Sequence, residues 1–438
     1  MQNRSQEQIQ KKIAKLVSNF CELKFKKKKF VPGKTTIHSS GRVIDVSEIN
    51  NLVNASLDGW LTAGSHNKKF QDKLSKFLNI NNVLTVNSGS SANLVALSSL
   101  TSNIHKDKSI KPGDEVITIA AGFPTTVNPI FQNGAVPVFV DIKIPTYNIN
   151  EELVEAAITN KTKAIMVAHT LGNPFNLDKI LSICKKYDLW LIEDNCDALG
   201  SKYKNKLTGT YGDLGTLSFY PAHHITMGEG GAVITNSFRL KRICDSFRDW
   251  GRDCYCEPGK ENTCKKRFGW KLGQLPFGYD HKYIFSNIGY NMKITDMQAS
   301  CGLAQLDKLK KFISKRKKNF NFLKKNLKEM EDNLIFPQAE TGSDPAWFGF
   351  PISLRQNCNI SRNEIIRKLY EKKIDTRLVF AGNLTKQPAY INKPFRISGE
   401  LINTDFVMNN TFWVGIYPGL GEEELNFVAK NIKNCFKK

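Results

Sequence analysis

No stretch of about 18 uninterrupted apolar residues occurs in the 438-residue chain, so the sequence offers no membrane-spanning helix. The opening "MQNRSQEQIQKKIAKLV" lacks the continuous apolar segment of a secretion signal, and a cytoplasmic location with no membrane partner is expected. Internal repeats, low-complexity tracts and nucleic-acid-binding motifs are also missing. Acidic side chains are scarce, with 41 Asp and Glu against 63 Lys and Arg, a formal net charge of +22. The excess is scattered, which suits a solvated surface or attraction to acidic small molecules better than nucleic acid. Its densest run, "KFKKKKF" (Lys24 to Phe30), reads as a solvated segment or weak anion site. In a reducing compartment the ten cysteines form no disulfide framework, leaving packing, metal binding or catalysis. Cys21, Cys184, Cys244, Cys301, Cys358 and Cys435 sit in apolar or amphipathic contexts that suit packing.

What is present is an alternation of short apolar strands and helical segments. "NVLTVNS", "EVITIAAG", "VPVFVDI", "KAIMVAH", "LWLIEDN", "TLSFYP" and "GAVITN" predict seven strands of a mostly parallel sheet covered on both faces. An N-terminal helical segment is expected over 1–55 and a large domain over 56–300. A linking helix and a smaller C-terminal α/β domain with a βαβα-like pattern follow over 301–438. Residues 252–285, rich in Gly, Lys, Cys and aromatics without a period, read as an inserted functional loop.

In open α/β sheets ligands bind beyond the carboxyl ends of the strands. After "NVLTV", Gly89 and Ser90 open a helix whose free N–H groups favour a phosphate, although small residues there are also ordinary caps. After "LWLI", Asp194 suits a protonated ring nitrogen or a structural acid. Phe123 in "GFPTT" offers a ring platform or plain core. Ser218 adds a phosphate contact, and "SFYPAHHITMGEGGAV" carries His223 and His224 in its turn but no lysine.

Together with "GWLTAG", "GYNMKITDMQASCGLAQLDKL" and "GIYPGL", these motifs resemble the DegT/DnrJ/EryC1/StrS sugar aminotransferases from about Trp60 to Pro418. The resemblance implies a fold-type I, aspartate aminotransferase-like transferase dependent on pyridoxal phosphate. It also implies a homodimer in which Asn291 reaches a phosphate across the interface. His223 stands five residues after Ser218, where the family's lysine stands. Histidine forms no stable imine but serves as a general base, so pyridoxamine 5'-phosphate would be held noncovalently and a hydroxyl β to the imine carbon would leave as water.

Cys196, Cys254, Cys256 and Cys264 form a C-x57-C-x-C-x7-C series that suits a [2Fe-2S] cluster or structural zinc. With His223 the series resembles the iron–sulfur branch of the family, the CDP-4-keto-6-deoxy-D-glucose 3-dehydrases of 3,6-dideoxyhexose synthesis. That resemblance implies a nucleotide-sugar substrate, removal of its C3 hydroxyl, and electrons from an NADH-dependent flavin iron–sulfur reductase. The alternatives are an iron-free 3-dehydrase of GDP-4-keto-6-deoxymannose and a non-catalytic basic regulatory relative. Arg377 and Asn383 in "DTRLVFAGNL" are candidate sugar or diphosphate contacts.

Overall fold

The computed structural model describes residues 2–26, 29–256 and 259–437. Lys27 and Lys28, at the centre of the basic run, lie outside them. All seven expected strands form: β1 (Asn82–Val86), β2 (Glu115–Ile119), β3 (Val136–Val140), β4 (Thr162–Ala168), β5 (Trp190–Asp194), β6 (Leu214–Ser218) and β7 (Gly231–Thr235). They build one sheet in the order β1-β7-β6-β5-β4-β2-β3. All neighbouring pairs from β6 through β3 are parallel, whereas β7 runs antiparallel to both β1 and β6. An eighth, two-residue strand, Arg396–Ile397, lies parallel to β3 at the edge. It is anchored by the Arg396 guanidinium, whose two nitrogens lie 2.9 and 2.8 Å from the two oxygens of Glu115.

Helices α1 (Gln2–Lys24), α2 (Val46–Leu57) and α3 (Ser65–Leu78) precede the sheet. Helices α4 (Gly89–Ser99), α5 (Pro124–Gln132), α6 (Leu177–Lys186) and α7 (Phe238–Arg248) are interleaved with its strands. The strands are apolar on both faces because both are covered. On one side Val95, Ile130, Leu240 and Ile243 pack with Val116, Met166 and Ile192. On the other, Leu177, Ile180 and Ile183 pack with Ile117, Ile165 and Leu191. This double cover leaves the strand ends as the open place for a ligand.

Helix α8 (Asp296–Leu327) begins in a capping box, in which the Thr295 hydroxyl accepts from Gln298 N–H and the Gln298 side chain accepts from Thr295 N–H. It leads to a second core around Phe350, Ile352, Leu369, Phe412, Val414 and Leu425. There Leu334–Ile335, Gly349–Leu354, Thr411–Gly415 and Thr376–Arg377 form an antiparallel sheet in that order. The strands Leu334–Ile335 and Thr411–Gly415 are the members that the βαβα-like reading lacked. The segment 252–285 has only the short 3₁₀ turn His281–Tyr283 as regular structure among its described residues, and a bridge between Arg252 and Phe285 closes its base. No described helix is long and apolar enough to cross a membrane.

The N-terminal helices are tied to α8 by a buried carboxylate. Glu48 is fully buried, and its oxygens accept from Lys308 Nζ at 2.6 and 2.8 Å and from Gln305 Nε2 at 2.7 Å. Lys308→Met leaves that charge uncompensated. Unfolding in urea should show a loss of about 2–3 kcal/mol, below the fullest cost of such breaks because Lys308 keeps some solvent contact.

Candidate active site

The carboxylate of Asp194, at the end of β5, is held from three sides. Its Oδ2 accepts from Asn93 Nδ2 at 2.8 Å and from Thr126 Oγ1 at 2.7 Å, and its Oδ1 accepts from Cys196 N–H at 3.1 Å. Asn93 is fixed in turn, its Oδ1 accepting from Thr216 Oγ1 at 2.6 Å. These contacts span α4, α5, β5 and β6. They place a charge-bearing group, whose remaining acceptor capacity is on Oδ1, where those elements meet.

The start of α4 lies against the end of β6. A Cβ on Gly89 would collide with the Ser218 side chain, so only glycine allows this approach. The Ser88 hydroxyl and carbonyl take the N–H groups of Ser91 and Ala92. The N–H groups of Gly89 and Ser90 have no partner among the described residues, and they stand with the Ser218 hydroxyl at a helix N-terminus. That donor set suits a phosphate. Phe123, three residues before Thr126, is half exposed and meets Phe380 edge to face at 6.0 Å. An anion cradle, a carboxylate and an exposed aromatic face at one end of the sheet fit a phosphorylated, nitrogen-containing ring.

The turn after β6 brings two different histidines to this place. His224 is buried, and its Nε2 is hydrogen-bonded to the Ala346 carbonyl. Burial drives its pKa well below the ordinary value. His223 lies against Phe348 at 5.3 Å, and its Nδ1 is 3.4 Å from Asp197 Oδ1 without hydrogen-bond geometry. Burial pulls the His223 pKa down to about 4, opposed by the Asp194 charge, so its imidazole is neutral at neutral pH. Burial, helped by repulsion from Asp194, pushes the Asp197 carboxyl up to about 8, with the Arg316 guanidinium acting in the other direction.

The remaining expected residues are dispersed. Asn291 is exposed and pairs in an isolated bridge with Asp249. Asn383 is buried and occupied, donating to Asp405 Oδ1 at 2.8 Å and accepting from Thr385 N–H at 3.0 Å. Arg377 is exposed beside a groove lined by Tyr370 and Asp375. A cavity of about 680 Å³ lies outside the His223 turn; Trp60, Lys241, Arg248, Cys254, Cys256 and Lys282 contribute to its wall.

The four cysteines do not assemble as expected. Cys254, Cys256 and His281 offer ligand atoms within 4.8 Å of one another, and Cys264 Sγ lies 3.7 Å from His281 Nε2. Cys196 joins no such group among the described residues. Its thiol is held near Asp194 and Thr216, and burial, aided by the Asp194 charge, raises its pKa well above the ordinary thiol value. The Cys196 side chain stays beside Asp194 and Thr216, just beyond the end of β5. His281, Asn93, Thr126, Asp197 and Arg316 escaped the sequence reading. Only His281, a histidine inside a cysteine-rich loop, carried a local signal.

The profile of the DegT/DnrJ/EryC1/StrS aminotransferase family matches residues 43–433. The lipopolysaccharide biosynthesis protein RfbH of Salmonella typhimurium is 56% identical, with 98% of each chain covered. A dTDP-4-dehydro-2,6-dideoxy-D-glucose 3-dehydratase of Saccharopolyspora spinosa is 51% identical over 92% of this chain and 87% of its own. The solved Escherichia coli GDP-4-keto-6-deoxy-D-mannose-3-dehydratase with bound hydrated PLP superposes with a TM-score of 0.80 at 28% identity, covering 90% of this chain and 99% of that one. The sugars named for these two dehydratases are dTDP- and GDP-linked, and the group bound in the solved one is pyridoxal phosphate. These likenesses overturn the placement in the CDP-hexose iron–sulfur branch. Fold, motifs and likeness over nearly the whole chain agree that the protein belongs to the DegT/DnrJ/EryC1/StrS aminotransferase family.

Proposed function

We propose that the protein is a vitamin B6-dependent 3-dehydratase of a nucleoside diphosphate-linked 4-keto deoxyhexose, working without iron. The observation that carries this reading is the neutral, half-buried His223 at the family's lysine position, in a pocket that keeps Asp194, Ser218 and the glycine-opened helix. The dTDP- and GDP-sugar 3-dehydratases among the relatives support it. When bound, pyridoxamine phosphate supplies an amine for the C4 ketone and the two electrons that replace the C3 hydroxyl by hydrogen, leaving as the aldehyde with ammonia.

The residues of the chain divide the remaining work. The α4 N-terminus and Ser218 bind the phosphate, and Phe123 covers a ring face. Asp194 keeps the ring nitrogen protonated, which makes the ring accept electrons. His223 moves the proton at C4' and, lacking an amine that could form an imine, favours elimination over amino transfer. Because no lysine fixes the ring, these noncovalent contacts alone orient it. We assign Asn291, exposed in the structure, to the phosphate of a second copy in a homodimer.

Pyridoxamine phosphate and a dTDP- or GDP-linked 4-keto-6-deoxyhexose, incubated with the protein in the absence of reductase and iron, should yield a 3-deoxy sugar detectable by mass. An aminated sugar as the main product would contradict the proposal. His223→Asn should slow both C4' hydrogen exchange and product formation by about 100-fold or more, the usual scale for a lost general base. Unchanged exchange would remove His223 from the reaction.

Asp194→Asn keeps the shape but removes the charge. Turnover should fall by about 100-fold or more, as for other lost electrostatic contacts to a reacting centre, a far larger effect than the modest drop in melting temperature expected from the one acceptor that the amide removes. Full activity in this variant would reduce Asp194 to a structural role.

A further inference from the structure

Resting on the assignment of His223 as the base, we propose that Asp197 is its positioning residue, fixing the imidazole with the proton on Nδ1 and the lone pair on Nε2. The Nδ1 atom is buried and has no hydrogen-bond partner among the described residues. The acidic oxygen facing it is Asp197 Oδ1, at 3.4 Å. A shift of a few tenths of an ångström brings that pair within hydrogen-bond reach, and catalytic contacts are commonly long before the ligand arrives.

Three further observations show that this acid is seated deliberately. Leu171, whose N–H acts on the Asp197 carboxyl, has a left-handed backbone, φ +50°, which costs energy for a leucine and persists only where its surroundings impose it. A Cβ on the neighbouring Gly172 would meet the Asp197 carbonyl at 3.0 Å and the Phe348 N–H nitrogen at 3.0 Å, so that turn packs directly under the acid. On the other side Arg316, almost fully buried, donates to the carbonyls of Phe348 at 2.9 Å, Ala222 at 3.3 Å and His223 at 3.2 Å. The guanidinium therefore ties the histidine turn to the segment bearing Phe348, against which the His223 ring lies. Its charge acts on Asp197.

The ring is thus confined by Phe348 on a face, by Arg316 through its own backbone, and by Asp197 at Nδ1. Of these, Asp197 directs the proton to Nδ1 once its carboxyl, pushed up to about 8, is ionised and can only accept. The competing acceptor is the Cys196 carbonyl, which also interacts with the ring.

The test uses the full-length protein labelled with ¹⁵N-histidine, whose seven histidines allow His223 to be assigned by its loss in His223→Asn. In the wild type at pH 9, where the Asp197 carboxyl is ionised, His223 should show a protonated Nδ1 and an unprotonated Nε2. In Asp197→Asn and Asp197→Ser the population should move toward the opposite tautomer. Their C4' exchange with pyridoxamine phosphate should fall by about 100-fold, the direction seen when the aspartate of a catalytic triad is made an amide. Their affinity for pyridoxamine phosphate should stay within about threefold, because the phosphate and Asp194 contacts are intact.

A wild-type His223 protonated at Nε2 at that pH overturns the proposal whether or not the variants fold. Variants that keep both the wild-type tautomer and the wild-type exchange rate also overturn it and leave the Cys196 carbonyl as the controlling acceptor. The expected tautomers in a wild-type protein that exchanges no C4' hydrogen would uphold the positioning of the ring while removing His223 from the reaction.

Discussion

The arrangement of the cofactor end of the sheet depends on how the Asp194 carboxylate is held. One oxygen takes hydrogen bonds from α4 and α5, and the other takes the Cys196 N–H just beyond β5. A carboxylate satisfied in this way stays in place near the low-dielectric interior, whereas one less constrained would turn toward solvent. The same contacts register α4 against β6, with Gly89 beside Ser218. The phosphate donors and the ring acid are therefore set by one network and not by two independent loops.

A lysine in this family's turn does two jobs, covalent storage of the cofactor and proton transfer. In the proposed reaction, replacing it by His223 keeps the second and drops the first. The surroundings match that division. His224 is committed to the Ala346 carbonyl as a structural residue, while His223 stays neutral and has an unpartnered Nδ1. On that proposal, with no covalent anchor, Phe123, Asp194 and the α4 terminus hold the ring against solvent by themselves. Such a site gains from a rigid base, and Arg316 and Asp197 supply that rigidity from α8 and from the segment after β5.

Much of this was legible in the sequence because it is local. The seven strands announce themselves by short apolar runs, and Thr295 with Gln298 marks the start of α8. Gly89, Ser90, Asp194 and Ser218 lie at or just beyond strand ends, so strand prediction alone placed them at one edge. Thr411–Gly415 and Arg396–Ile397 were missed because what defines them is pairing: Trp413 with Pro351, and Arg396 with Val138. Asp197 and Arg316 lie 26 and 93 residues from His223 and are joined to it only by packing. The cysteine series shows the opposite error. Its spacing suggested four ligands, but spacing does not report side-chain direction, and Cys196 is held at the cofactor end of the sheet while the loop sulfurs gather around His281.

The central claim is that this family member holds its cofactor without a covalent bond and uses histidine where relatives with a lysine use an amine. Borohydride treatment of the protein loaded with pyridoxal phosphate, followed by intact-mass and peptide analysis, tests it most directly. The account predicts an unmodified protein and a reduced cofactor recovered free after gel filtration. A reduced pyridoxyl group fixed to a lysine peptide would contradict it.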